Sequence, residues 1–203
     1  MTFCVEWQGA LWSTLAQGLV IPAKLESSVR RCHNSVVATG VVNIVEGPRV
    51  ETWGQQATLG IRETVPFRTM LSNRDRLLAE LLEWMQQHDV EATGPFFLRL
   101  HVVDMAGMMD IEVGVVSDAV ASTGRVKSGT LPAGRYALLD YRATSMPANR
   151  MIREWATEQG LELDAHDTPA GEAFAARCEI YVTDPRTERL KTKWVVRLAF
   201  LLR

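Results

Sequence analysis

The chain has 203 residues, 47% of them apolar and 23% charged, with 22 basic and 24 acidic side chains and a formal net charge of −2. This is the composition of an ordinary globular protein, long enough for one large domain or two small ones around a shared core. It excludes a strongly electropositive surface, and with no Lys/Arg block in view, direct binding of nucleic acid is not expected.

Three scattered cysteines, Cys4, Cys32 and Cys178, include no C-x-x-C pair, which fits a reducing cytoplasm better than a disulfide framework. No stretch reaches the roughly 18 consecutive apolar residues of a membrane span. Residues 8–23 are mildly apolar but lack the basic lead and cleavage pattern of a secretion signal. A cytoplasmic protein with no membrane partner is expected.

From Met1 to Gly40 the apolar residues hold neither a helical nor a strand period, and Gly9, Gly18 and Pro22 interrupt every candidate helix. Residues 1–44 are therefore expected to be an arm, disordered or loosely docked. A natural start near Val41 or Val42, with the upstream stretch wrongly assigned, is the other reading. No chemistry is assigned to this stretch.

Beyond Val42 the pattern becomes regular. Residues 57–65 read as a strand halted at Pro66. A helix follows with Leu77, Leu78, Leu81, Leu82 and Met85 on one face, and with Arg74, Asp75, Glu80 and Glu83 largely on the other. Phe96 to Asp104 and Asp110 to Val116 read as two further strands. The order then returns: a turn at Leu131-Pro132-Ala133-Gly134, a strand to Ala143, and a helix carrying Ala148, Met151, Ile152, Trp155 and Ala156. Strands at 177–184 and 193–201 follow a longer loop, Leu161 to Ala176.

Short motifs repeat as well. Glu83-Trp84 answers Glu154-Trp155 at an offset of 71, and His101-Val102-Val103-Asp104 answers Tyr181-Val182-Thr183-Asp184 at an offset of 80. Two β-α-β-β modules, about 45–120 and about 121–203, are expected to join one sheet, with both helices on one face.

Alternation along the strands then sorts side chains. Cys178, Ile180 and Val182 form an apolar set suited to packing under a helix, which leaves Arg177, Glu179 and Tyr181 on the opposite face. Leu98, Leu100 and Val102 similarly oppose Phe97, Arg99 and His101. Mixed aromatic and ionisable groups on the non-helical face suit a ligand groove. Glu179 stands out, because a carboxylate on a central strand is costly to bury without a partner. A cationic ligand would be one partner, with Tyr181 offering cation–π contact. Exposure to water or an ordinary pair with an Arg is the competing reading. Glu112 aligns with Arg197 in the repeat, and Gly114 marks a bulge or a close backbone approach by a ligand, with simple sheet strain as the other reading.

These residues resemble a known family. The runs Gly94-Pro95-Phe96 through His101-Val102-Val103-Asp104, Asp110-Ile111-Glu112-Val113-Gly114-Val115, Leu131-Pro132-Ala133-Gly134-Arg135-Tyr136-Ala137 and Glu179-Ile180-Tyr181-Val182-Thr183-Asp184-Pro185 are similar to the GyrI-like, or effector-binding, family over roughly residues 45–203. The resemblance implies an α+β fold. Tandem β-α-β-β modules would form one curved antiparallel sheet of about eight strands, with two helices on one face and a central ligand groove. It implies a bacterial stand-alone protein related to the drug-sensing half of multidrug-responsive activators. The family's groove glutamate falls on Glu179. The ligand-binding set is then Glu179, Tyr181, Phe97, Arg99, His101, Glu112, Arg197 and Tyr141. Two departures stand out: Asp140-Tyr141-Arg142-Ala143-Thr144 replaces an aromatic family stretch, and Arg197 stands where a carboxylate is usual. Ligand charge therefore stays open.

The four histidines show no metal-ligand spacing, and Asp164-x-His166-Asp167 reads as a solvated turn, so neither metal nor cofactor is expected. Residues 124–129 have the spacing of a phosphate loop, but Thr130 stands where Lys is required. Three functions compete. The preferred one is a stand-alone protein that binds a hydrophobic or aromatic small molecule. The second is a hydrolase of cyclopropane-bearing or similarly strained electrophiles, with Glu179 and Tyr181 catalytic. The third is an interaction module with a protein partner, DNA gyrase.

Overall fold

A computed structural model describes residues 43–121 and 124–203. The arm expected over residues 1–44 lies outside the described residues except for Asn43 and Ile44, which already belong to a strand. The elements in chain order are β1 (Asn43–Trp53), β2 (Gln56–Pro66), α1 (Met70–Gln87), β3 (Phe96–Val103), β4 (Met108–Val116), β5 (Lys127–Leu131) and β6 (Gly134–Arg142). Then come α2 (Ser145–Glu158), β7 (Ala165–Thr168), β8 (Gly171–Phe174), β9 (Arg177–Tyr181) and β10 (Val196–Leu201). No helix among the described residues is long and apolar enough to cross a membrane.

The strands form one antiparallel sheet in the order β1-β6-β10-β9-β3-β4-β2-β5, as the expected fold class requires. Its order is symmetric about the seam between β9 and β3: outward from it, β3-β4-β2-β5 mirrors β9-β10-β6-β1. The stretch expected as a loop from Leu161 to Ala176 instead contains the β7–β8 hairpin, whose Ala173 and Glu172 pair with Val102 and Val103 of β3. Strand β9 stops at Tyr181, earlier than expected. Beyond it, Asp184 and Pro185 open a turn whose Asp184 carbonyl accepts from Thr187 and Glu188.

Each helix covers its own half of the sheet. α1 lays Leu77, Leu78, Leu81 and Met85 on β2 and β4, and α2 lays Ala148, Ile152 and Ala156 on β6. Burying a leucine of this kind contributes roughly 1.5–3 kcal/mol. The central strands β3 and β9 thus lie between the two helices.

The opposite face has a core of its own. Trp53 ends β1 and Gln56 begins β2, so these ends lie within about 11 Å, yet the two strands pair in opposite halves of the order. Leu131 and Gly134 link β5 to β6 in the same way. The sheet must therefore curl until its halves approach at this corner. Phe97, Leu131, Tyr136, Leu138, Ile180 and Leu201 fill the curl. Trp53 stacks on Tyr136 at 4.6 Å, and the Tyr136 hydroxyl donates to the Pro132 carbonyl at 2.7 Å. Gly114 has its explanation here. A Cβ at that position would stand 2.4 Å from the ring of Phe97, its partner on β3, so a side chain rather than a ligand makes the close approach.

Candidate ligand site

Glu179 and Tyr181 lie on the helical face, not on the opposite one as expected. Glu179 pairs in register with Leu98 of β3 and Leu198 of β10, and register partners share a face. Both leucines belong to the helix-side core, as does Tyr181, whose ring meets Trp194 at 5.1 Å. Cys178 and Ile180 point into the second apolar cluster, and Val182 is exposed. The physical reason is that the sheet is apolar on both sides, so alternation separates two faces without saying which one meets the helices. The motif offset of 80 made this worse. Residues sharing the helical face, such as Leu98 and Glu179, are an odd number apart, and a slip of one residue turns every side chain over.

At the seam, Glu179 is only 8% exposed. Both helices and two strands supply the groups that act on its carboxyl. Burial pushes its pKa above the ordinary carboxylate range, while Arg177, Arg74 from α1, Asn149 from α2 and Tyr141 from β6 pull it down. Arg177 is half-buried. Its Nη2 donates to Asn149 Oδ1 at 3.0 Å, its guanidinium lies 4.9 Å from the Phe174 ring centroid and 5.1 Å from that of Phe200, and burial lowers its pKa to about 10.

Burial also raises the pKa values of the Tyr141 and Tyr181 hydroxyls. Tyr181 Oη is buried with no partner at hydrogen-bonding geometry; the Arg74 guanidinium lies near enough to pull its pKa down against burial, but it can only donate and leaves the hydroxyl proton without an acceptor. Arg74 Nε and Nη2 donate to Asp75 Oδ1 at 2.9 and 2.7 Å. Asp75 also accepts from the Lys191 ammonium, which ties α1 to the β9–β10 loop.

Arg74 corrects a second expectation. Its side chain is 12% exposed, because position 74 continues the helical stripe of Leu77, Leu78 and Leu81 rather than the charged face. A charged residue in register with an apolar stripe was the signal available for it, and Asn149 beside Ala148 carried a similar one.

The eight expected ligand residues therefore do not converge. Glu179, Tyr181 and Tyr141 gather on the helical face. Arg99, His101 and Glu112 line a cavity of about 690 Å³ on the opposite face. Phe97 is spent in the second apolar cluster. Arg197 turns away from Glu179 and donates through Nε and Nη2 to the two oxygens of Asp140, each at 2.8 Å, so it neutralises that carboxylate instead.

No protein-family model matches the chain, and no curated protein does. Solved structures do match. The EcmrR–DNA complex gives a TM-score of 0.62 at 13% identity over 77% of this chain and 57% of that one, so the chain spans little more than half of that protein's length. The EcmrR C-terminal domain gives 0.54 at 11% identity over 79% of this chain and 99% of that one. It shares their fold. SAV2435, solved bound to tetraphenylphosphonium, gives 0.52 at 11% identity over 77% of this chain and 93% of that one. At these identities the likeness is one of architecture, and it covers the described part of the chain rather than any particular side chain.

Proposed function

We propose that residues 45–203 form a small-molecule-binding domain of the GyrI-like, effector-binding kind, and that its ligand docks on the helical face at the seam, against Glu179, Tyr181 and Tyr141. The observation that carries this reading is the Tyr181 hydroxyl, buried without a partner beside a buried carboxylate. Buried polar groups are rarely left unpaired, and leaving one so costs about 1–3 kcal/mol. A ligand that accepts a hydrogen bond from Tyr181 removes that cost.

The surrounding rings of Tyr141, Tyr181 and Trp194 suit an aromatic body. Two guanidinium groups, Arg177 and Arg74, already act on Glu179. A neutral aromatic acceptor therefore fits the site as it stands, whereas an organic cation has to take the place of Arg74. The shared fold with SAV2435, whose structure holds a bulky aromatic ion, supports a ligand of this size.

Thermal unfolding in the presence of tetraphenylphosphonium and of neutral aryl ketones tests the proposal. Binding to the folded state alone raises stability by RT ln(1 + [L]/Kd), about 2.7 kcal/mol at 100 times Kd. At least one probe should stabilise the wild type saturably, and Tyr181→Phe should weaken that response roughly tenfold, the worth of one hydrogen bond. Identical responses from wild type and Tyr181→Phe, or none from either, would overturn it.

A further inference from the structure

The sheet separates the seam from the cavity on its other face, which lies between β2, β3, β4 and β5. At about 690 Å³ it is within the usual range for small-molecule sites, roughly 300–1,000 Å³. Its lining is cationic: Arg62, Arg99, Arg125 and Lys127 border it, against the single carboxylate of Glu112.

Most of these charges are answered locally. Arg62 donates to Asp110, and Arg125 is held by Glu63 and Glu80. Glu112 is committed to His101, with Oε2 2.7 Å from Nε2. It can lie across β2 only because Gly60 has no side chain, since a Cβ there would stand 2.5 Å from Glu112 Oε1.

Arg99 differs. Its Nη1 donates to the Thr130 carbonyl at 2.9 Å and its Nη2 to the Ala175 carbonyl at 2.7 Å. Carbonyl oxygens fix a guanidinium in place without cancelling its charge. Among the described residues no carboxylate lies within ion-pair distance of Arg99. Nε is buried without a partner, and each terminal nitrogen keeps a second N–H. The result is a cation held in place at the cavity, with an unused N–H on each terminal nitrogen.

We propose that this cavity is a second ligand site, independent of the seam, that takes a small anion bearing a carboxylate or phosphate group, with Arg99 as its anchor. A planar guanidinium held by two carbonyls is pre-set for two-point contact with such an oxyanion.

The test is calorimetric and thermal titration of the full chain with citrate and, separately, inorganic phosphate at constant ionic strength. A saturable response to either supports the site, and which of the two responds identifies the anion class. Arg99→Gln should weaken it roughly tenfold or more, the worth of a charge-assisted hydrogen bond. Arg62→Glu places a carboxylate at an exposed position on the rim in place of the partner of Asp110, and should weaken binding as well, with a thermal melt checking that the variant is folded. Tyr181→Phe, across the sheet, should leave it unchanged. The proposal fails if neither anion gives a saturable response. It also fails if the response survives Arg62→Glu undiminished, as general salt stabilisation would.

Discussion

Strands β3 and β9 lie side by side at the centre of the sheet and hold corresponding places in its order, yet they turn opposite chemistry to the same face. Toward the helices β3 presents Phe96, Leu98 and Leu100, whereas β9 presents Arg177, Glu179 and Tyr181. Away from them β9 presents Cys178 and Ile180, whereas β3 presents Arg99 and His101 beside a single apolar ring, Phe97. Each strand keeps one apolar side for a core, and the two cores lie on opposite sides of the sheet. The polar sides are consequently placed back to back, which gives two chemically distinct candidate sites. A strand's apolar set shows where it is packed, and its other side is where chemistry can be carried.

The largest way to break this contrast is to give β3 the chemistry of β9. Leu98→Glu sets a second carboxylate directly across from Glu179 in a fully buried position with no cation assigned to it. Urea denaturation should report a loss of about 4 kcal/mol or more. A loss below about 1 kcal/mol would mean that β3 tolerates charge as β9 does. Next in size is Arg177→Met, which removes the bond to Asn149, the stacking on Phe174 and Phe200, and a cation acting on Glu179. About 3 kcal/mol should be lost. Adding Glu179→Gln should recover part of it, since the orphaned charge is then gone. Strict additivity of the two changes would separate Arg177 from Glu179.

The parts of this architecture that could be read beforehand are those where one period dominates. Both helices and β2, β3, β4 and β6 were legible within a few residues, because each carries a clear apolar stripe or alternation. β5 was not, since Lys127-Ser128-Gly129-Thr130 is exposed throughout and has no alternation to read. β1 was hidden for another reason: it is an edge strand with Pro48 inside it, and its register shifts twice before Arg49. The anomaly of Glu179 was visible as a carboxylate on an inner strand. Its facing was not, because both sides of β9 are buried. Its partners Arg74 and Asn149 could not be read from β9 at all, since they arrive from two helices.

A smaller effect sharpens the contrast through pH. The Glu179 pKa is raised in the folded protein, mainly by burial. Below the unfolded carboxyl's value of about 4.3 both states hold the proton and the contribution of Glu179 to stability is complete. As pH rises through the native pKa the folded state must release a proton from a buried site, and that contribution is lost. Wild type should therefore lose stability relative to Glu179→Gln as pH rises, by up to about 1.4 kcal/mol per pH unit within that window. Chemical denaturation of both proteins over a pH series that rises from the unfolded carboxyl's value of about 4.3 measures the slope. A wild type that gains on the variant with rising pH would show a carboxylate stabilised by its cations, contrary to burial having the upper hand.

The smallest expected change in stability belongs to Tyr181→Phe, and its smallness is informative. The ring packs in the helix-side core against Trp194 and would be kept, while the only group removed is a buried hydroxyl with no hydrogen-bond partner. An unpaired buried hydroxyl is a cost to the native state, so its removal should leave stability unchanged or raise it by up to about 1 kcal/mol. The substitution thereby separates two demands on the same residue: folding should not miss the hydroxyl, and ligand binding should. A loss above about 1 kcal/mol in the ligand-free protein would mean that Arg74 or an ordered water satisfies the hydroxyl in solution, and the seam would then have no unpaired donor waiting for a ligand.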